Sequence, residues 1–298
     1  MLSLDNFKAI ELKDKKIFNK FYEKYPPVHS DYVFTTLVSW MDYANYHFTV
    51  YKNNLIIYSK IDNQIRFRPP IGKKNKQVFE EVMALAKNQK SDYPFGMIDL
   101  KTKEWMQKVF PNIGFEAHRA YFDYVYLSSN LANLRGSKYS KVRNRLNKFL
   151  KNYDYNVENI SKNNLEEVRE FLKRWCLWRD CDSDPILENE KKAIIFSMDN
   201  FINLDLSGVL IKINNKVESI AVFEKLNFDT AVIHFEKGSP EFDGIYKAIN
   251  QETAKILKND FKFINRESDM NIFGLRKAKM SYRPHHFIDV YHINRDII

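Results

Sequence analysis

The same order of structural signals occurs twice along the 298-residue chain, and this repetition limits the folds that the chain can adopt. Each copy begins with three short apolar and aromatic segments separated by Asn-containing turns, which is the pattern of an antiparallel meander. The meanders cover residues 47–68 and 208–235. A loop, an amphipathic helix and another strand follow each one. A tandem duplication of one α/β unit explains this order, although the copies share no evident residue identity.

We therefore predict an α/β (α+β) fold with two tandem domains, residues 1–125 and 126–298. Each domain should contain a mixed, mainly antiparallel sheet flanked by helices. The length suits two ordinary domains with real cores. A composition with 44% hydrophobic and 29% charged residues is that of a globular protein.

The formal charge of +9 makes an anionic partner plausible: nucleic acid, a phosphorylated cofactor or an anionic membrane surface. Basicity alone does not choose among them. Residues 135–151 hold seven Lys or Arg and no acid, and a solvated helix face is the plain alternative for such a run. The cations that could face phosphate groups are Lys138, Lys141, Arg143, Arg145 and Lys148.

A second polar concentration covers residues 265–284, between two apolar runs that we interpret as strands, 261–264 and 287–291. Loops held at strand ends commonly carry function. The side chains of Arg276, Lys277 and Lys279 suit phosphate or carboxylate groups. The alternative is an internal ion-pair network in which Arg266 pairs with Glu267 or Asp269 and fixes a loop.

Several classes of protein find no support in the sequence. Cys176 and Cys181 are too few for a disulfide framework or a four-ligand zinc site, and the adjacent His285 and His286 are a weak metal signal, so we expect no metal. No P-loop, Rossmann fingerprint or nucleophile elbow is present. Neither a secretory signal nor a long apolar run is apparent, which favours a cytoplasmic protein. Trp175 and Trp178 are expected in the core.

Four stretches, residues 69–72, 141–149, 234–237 and 265–284, resemble the C-terminal catalytic domain of bacterial phosphatidylglycerol lysyltransferases and the stand-alone proteins grouped with it. The resemblance touches both halves, and 265–284 is its most specific part. It implies two fused acyltransferase folds of the GNAT kind, as in Fem-type peptidoglycan aminoacyltransferases. The best-known members move an aminoacyl group from charged tRNA to an amine or hydroxyl acceptor.

This resemblance implies roles for individual residues. Glu236 becomes a candidate base for the attacking amine, or a partner of Lys237 or Arg266, and Tyr282 a candidate proton donor to the leaving oxygen. Alternation along a strand would place His234 and Glu236 on one face. The candidate substrate-binding residues are His234, Lys237, Asn265, Arg266, Glu267, Asp269, Arg276, Lys277 and Lys279.

The resemblance implies no permanently bound cofactor and charged tRNA as the donor substrate, with tRNA facing the basic residues 138–148. The acceptor stays open among a phospholipid, a peptide and a small amine. The named lipid-modifying enzymes carry a multi-span membrane region that this sequence lacks, which puts a phospholipid acceptor in doubt.

Two alternatives to a tRNA-dependent aminoacyltransferase remain open: one uses a different acyl donor, and the other is not an enzyme. An acyl-CoA-dependent N-acyltransferase would normally carry a Q/R-x-x-G-x-G/A loop before a helix. Residues 237–246 contain glycines but not that motif, and their two carboxylates would repel a pyrophosphate. A non-catalytic nucleic-acid-binding module would need the basic helix but neither Glu236 nor Tyr282.

Overall fold

A computed structural model describes residues 2–297 and divides the chain into two compact units. The first runs from the N-terminus to Phe122 and also includes the segment from Ile288 onward, and the second is Asp123–Phe287. The domain prediction, 1–125 and 126–298, differs from this division at the C-terminus. The reason is that the last strand pairs with strands of the first unit.

The first unit contains these elements: β1 (Lys8–Ala9), α1 (Lys15–Tyr22), α2 (Phe34–Ser39), α3 (Met41–Ala44), β2 (His47–Tyr51), β3 (Asn54–Ile61), β4 (Gln64–Phe67), α4 (Lys76–Lys87), β5 (Phe95–Asp99), α5 (Leu100–Val109) and β6 (Glu116–Ala117). The second unit follows: β7 (Asp123–Leu127), α6 (Ser128–Asn133), α7 (Ser140–Asn152), β8 (Asn156–Asn159), α8 (Leu165–Arg179), α9 (Pro185–Asp199), β9 (Ser207–Ile213), β10 (Lys216–Lys225), β11 (Thr230–Gly238), α10 (Ile245–Leu257), β12 (Phe263–Asn265), α11 (Phe273–Ser281) and β13 (His286–Ile288). The chain returns to the first unit with β14 (Val290–Ile293).

The sheet of the first unit has the strand order β1-β2-β3-β4-β5-β14-β6. Strands β2, β3 and β4 form the predicted antiparallel meander. Helix α4 begins at Asn75, whose side chain accepts hydrogen bonds from two backbone N–H groups. Its apolar stripe, including Val78, Phe79 and Val82, is buried in the core of this unit.

The sheet of the second unit has the order β13-β7-β12-β11-β10-β9-β8. Strands β8 to β11 are antiparallel. Strand β11 then pairs in parallel with β12, but only residues 230–232 pair with residues 263–265. The two sheets, mixed and flanked by helices, confirm the predicted fold class.

Two local predictions were wrong. The predicted strand 287–291 is two strands, because β13 joins the second sheet while β14 joins the first. Within the predicted loop 265–284, residues 273–281 form α11, in agreement with the high helix propensity of its Leu, Arg, Lys, Ala and Met residues.

The environments of the tryptophans and cysteines differ along α8. Trp175 is buried, but Trp178 is 58% exposed, so its predicted core position is wrong; it follows Trp175 by most of a helical turn and faces solvent. Cys176 and Cys181 form a disulfide at the end of this helix. Within residues 2–297 no helix has both the length and the apolar character that crossing a membrane requires.

Candidate functional site

The candidate site lies where β11 and β12 stop pairing. Beyond Val232 and Asn265 the two strands separate, and β11 continues to Gly238 paired with β10 on its other side. Strand β11 also carries a bulge, since Ile233 lies opposite Phe223 and Phe235 opposite Val222, so that His234 has no counterpart on β10. Strict alternation therefore does not hold across His234, and the structure places His234 and Glu236 in separate charged clusters.

Glu236, Arg266 and Asn250 form the central cluster. Arg266 Nη2 donates to Glu236 Oε1 at 2.9 Å, and Asn250 Nδ2 donates to Glu236 Oε2 at 3.1 Å. The side chains of Arg266 and Glu236 are only 13% and 11% exposed. Within the described residues, Arg266 Nη1 and Asn250 Oδ1 are buried without a hydrogen-bond partner. Such atoms normally find partners, so the cluster has unused donor and acceptor capacity.

Tyr282 lies beside this cluster. Its ring centroid is 4.8 Å from the Arg266 guanidinium carbon, and the residue is 2% exposed. Its hydroxyl is also buried without a partner in the described chain. Burial raises the pKa of Tyr282, against the opposing effect of Arg266, so the phenol stays protonated and can donate. The structure thus brings together Glu236, Arg266 and Tyr282, three of the residues that the sequence singled out.

Lys247 is a fourth member of the site that the sequence analysis missed. It lies in the first turn of α10, and its Nζ is 4.7 Å from the Tyr282 ring centroid. Burial and the nearby Arg266 lower the pKa of Lys247 to about 8, although Glu236 opposes this. Lys247 and Asn250 are three residues apart on the helix that follows the Glu236 strand. This spacing places both side chains on one face, and it is the signal that could have identified them.

His234 belongs to the second cluster, between two carboxylates. Its Nε2 is 2.9 Å from Glu224 Oε1, and its Nδ1 is 2.9 Å from Glu267 Oε1. Burial lowers the pKa of His234, but the hydrogen bonds to the two carboxylates raise it by more than burial lowers it. The net result is a pKa of about 10. The imidazole is therefore charged at neutral pH and donates from both nitrogens. This geometry fixes Glu267, whose φ is +57°, after the end of β12.

Two other cations hold the same loop. Lys279 Nζ donates to the carbonyl oxygens of Arg266, Glu267 and Ser268, an arrangement that uses all three hydrogens of an ammonium group. Burial lowers the pKa of Lys279 to about 8. Arg276 clamps the buried Asp269 at 2.8 and 3.0 Å. These contacts correspond to the internal network that was the alternative for this segment, although the pairs differ from those expected.

The remaining residues predicted to bind substrate lie in three different environments. Asn265 is fully buried and donates to Asp123 Oδ2 at 2.7 Å. Lys237 forms an ion pair with Glu190 at 2.8 Å and lies over the Trp175 ring, so its charge is already neutralised. Lys277 is exposed on α11. The structure does not bring these three side chains into the Glu236 cluster.

The basic residues before and within α7 are mostly available to solvent. Lys138, Lys141 and Arg145 are exposed. Lys148 is exposed too, and pairs with Asp243 at 2.8 Å. Arg143 instead donates to the carbonyl oxygens of Leu134 and Gly136, so it holds the turn before the helix. In the part of the chain that the structure describes, no group of three or more His, Cys, Asp and Glu side chains is arranged to hold a metal.

Comparisons with known proteins identify structures that are similar to this one and the family to which the sequence belongs. A conserved protein of unknown function from Bacteroides thetaiotaomicron has a similar structure, with 31% identity, 97% and 98% of the two chains covered and a TM-score of 0.88. The C-terminal domain of a putative lysylphosphatidylglycerol synthetase from Agrobacterium fabrum has 12% identity, coverage of 95% and 92% and a TM-score of 0.66. FemX has 10% identity, coverage of 97% and 98% and a TM-score of 0.58. These likenesses show that the chain shares its fold with the lysylphosphatidylglycerol synthetase C-terminal domain and with FemX, as predicted.

A curated relative, an uncharacterised protein of Mycoplasmoides gallisepticum, is 23% identical over 178 residues. The matched region spans 58% of this chain and 56% of that relative. Residues 22–294 match the family described as phosphatidylglycerol lysyltransferase, C-terminal. Because this match covers most of the sequence, the chain belongs to the phosphatidylglycerol lysyltransferase C-terminal family.

Proposed function

We propose that this protein transfers an aminoacyl group from charged tRNA to an amine or hydroxyl acceptor by direct attack. The observation that carries the proposal is a pair of buried donors next to the Glu236–Arg266 contact. These donors, Arg266 Nη1 and the Tyr282 hydroxyl, have no hydrogen-bond partner among the described residues. An ester presents two oxygens that need such donors. Family membership supports the transferase class, and the donor pair supports this location for the chemistry.

In this reaction Glu236 and Tyr282 each take part in one proton transfer. The acceptor nitrogen or oxygen attacks the ester carbonyl carbon and forms a new C–N or C–O bond, while the bond from that carbon to the tRNA ribose oxygen breaks. Glu236 accepts the proton that the acceptor loses, and Tyr282 donates a proton to the departing ribose oxygen. Arg266 Nη1 hydrogen-bonds the carbonyl oxygen as its negative charge develops. Proton exchange with water restores both side chains.

The exposed cations of α7 suit the phosphates of the donor. Helix α7 packs directly against the start of α10, since a Cβ placed on Gly244 would lie 2.6 Å from the Arg145 carbonyl oxygen. This carbonyl and the Asp243 carboxylate therefore face the place where a CoA pyrophosphate would normally meet a helix N-terminus. The carbonyl oxygen carries a partial negative charge, and the carboxylate is anionic although it pairs with Lys148. Both weigh against acyl-CoA and in favour of a donor bound along the outer face of α7.

The test is binding of the purified protein to bulk aminoacyl-tRNA, uncharged tRNA and acetyl-CoA over a salt series. We expect tighter binding of charged than of uncharged tRNA. Lys141→Glu should weaken both and reduce the slope of log affinity against log salt by about 1. Lys258→Glu, the same charge change at an exposed lysine at the end of α10, is the matched control and should have little effect.

A transfer assay separates chemistry from binding. The rate of transfer of a labelled amino acid from tRNA to an amine acceptor should fall in Tyr282→Phe, while the tRNA affinity of the variant stays unchanged. Saturable acetyl-CoA binding without a preference among tRNAs would replace this proposal with the acyl-CoA enzyme. Equal, salt-sensitive binding of both tRNAs with no transfer to any acceptor would leave only a nucleic-acid-binding module.

A further inference from the structure

The outer surface of α11 and of the loop before it exposes large apolar side chains. Phe273 is 80% exposed, and Ile272, Met270 and Met280 are each more than 40% exposed. Phe273 and Met280 are seven residues apart, so they lie on one face of α11, with Lys277 between them. We call Met270, Ile272, Phe273, Lys277 and Met280 the α11 outer surface. Exposed apolar residues are ordinary when scattered but informative when they cluster.

The charged residues of α11 and of the chain on either side of it are all cationic. Residues 270–288 contain Arg276, Lys277, Lys279 and Arg283, and no Asp or Glu. Lys279 is turned inward, and Arg276 is clamped to Asp269. Lys277 and Arg283 are exposed. The surface therefore offers apolar side chains together with unneutralised positive charge, which fits an anionic partner with an apolar interior.

We propose that the α11 outer surface docks onto a membrane rich in anionic lipids. Lipid headgroups would meet Lys277 and Arg283, and the apolar side chains would enter the acyl boundary, as in amphipathic segments that lie in the membrane interface. The three aliphatic side chains favour lipid over single-stranded RNA, because bases stack on aromatic rings and gain little from Met or Ile. The inference does not depend on the aminoacyl chemistry.

The experiment is cosedimentation of the purified full chain with vesicles of phosphatidylcholine alone and of phosphatidylcholine mixed with phosphatidylglycerol or phosphatidylserine. We expect binding to both anionic mixtures and not to phosphatidylcholine alone. Phe273→Ser should lower the partition coefficient roughly tenfold or more, as expected when burial of one aromatic side chain is lost. Phe228→Ser is the matched control, because Phe228 is 81% exposed but lies at the β10–β11 turn.

The charge is tested separately. Lys277→Glu should weaken vesicle binding more than Lys258→Glu, which makes the same change in net charge on α10. All four variants alter exposed residues and should keep the wild-type melting temperature. Equal binding of Phe273→Ser and Phe228→Ser to vesicles would overturn the proposal. So would a loss of single-stranded RNA binding in Phe273→Ser with vesicle binding intact, since that result would identify an RNA surface.

Discussion

Arg266 binds Glu236 through one guanidinium nitrogen, Nη2, and leaves a second, Nη1, buried without a partner among the described residues. The contact neutralises two charges that are both largely removed from water. The unused nitrogen has no structural purpose in this pairing, because burying an unsatisfied donor is unfavourable. The pair therefore combines a stabilising contact with binding capacity, and suitable substitutions at Glu236 should separate the two.

Glu236→Ala should destabilise the protein by about 3 kcal/mol, because it leaves the Arg266 charge buried and unpaired. Glu236→Gln should destabilise it much less, since the amide still accepts from Arg266 and Asn250 can rotate to offer its unpaired Oδ1. Both substitutions should abolish most transfer, because neither side chain is a base. Urea unfolding together with the transfer assay tests this; full activity in Glu236→Gln would remove Glu236 from the chemistry.

Tyr282→Phe should lower the transfer rate roughly a hundredfold, the scale of a lost proton donor, and leave the free energy of unfolding nearly unchanged. The hydroxyl has no partner in the described chain, so its removal breaks no hydrogen bond. Tyr126→Phe is the matched comparison. The Tyr126 hydroxyl donates to the Lys279 carbonyl at 2.9 Å, and its loss should cost about 1 kcal/mol. Equal effects of the two substitutions on stability would contradict the assignment.

His234 should lower the stability of the protein between pH 6.5 and about pH 10, an effect that the lowered pKa values of Lys247 and Lys279 oppose above about pH 8. The pKa of His234 is raised from 6.5 to about 10 on folding, so the native state holds a proton that the unfolded state releases. The stabilisation is complete below pH 6.5 and is lost as pH rises through the folded value, with a slope of at most about 1.4 kcal/mol per pH unit. His234→Gln should remove this fall in urea unfolding measured from pH 6.5 to about 8, below the range in which the two lysines oppose it. The exposed His285, replaced by Gln, is the control; a slope that persists in His234→Gln would assign the proton elsewhere.

The periodic parts of the fold could be predicted from sequence. The β2–β4 and β9–β11 meanders are apolar runs separated by Asn-containing turns, and several of their strands are buried on both faces. Helices α4 and α10 each bury an apolar stripe. Local composition and periodicity therefore identify all of them. The bulge at His234 and the separation of β11 from β12 could not be predicted in this way, because both depend on pairing with another strand. The return of β14 to the first sheet is likewise a long-range pairing, invisible in the local run 287–291.

The site was predictable as a set of residues but not as a set of contacts. The density of charge in 265–284 drew attention to Arg266 and Tyr282, which the structure brings together with Glu236. It could not distinguish Lys279, whose ammonium is turned toward three carbonyl oxygens, from Lys277, which faces solvent. Which cations turn inward depends on α11, which we had interpreted as loop. Lys247 was missed because the sequence analysis considered only the apolar stripe of its helix and not the polar residues between the apolar ones.

Gly244 and Gly274 should respond to alanine in opposite directions. Gly244 has φ +92°, and an added Cβ would lie 2.6 Å from the Arg145 carbonyl oxygen and 3.0 Å from Phe149 Cβ. The obstacle is backbone of α7 and cannot rotate away, so Gly244→Ala should destabilise the protein by about 2 kcal/mol or more. It should also weaken tRNA binding, because relieving the clash displaces the helix that carries Lys141 and Arg145.

Gly274 lies in α11, and an added Cβ would meet nothing within 4 Å. Gly274→Ala should therefore stabilise the protein by up to about 1 kcal/mol through the better helix propensity of alanine. Urea unfolding of both variants, with tRNA binding of Gly244→Ala measured below its unfolding transition, decides the matter. If Gly244→Ala were as stable as the wild type, α7 would not be held against α10 as described, and the basic helix would lose its fixed position beside the site.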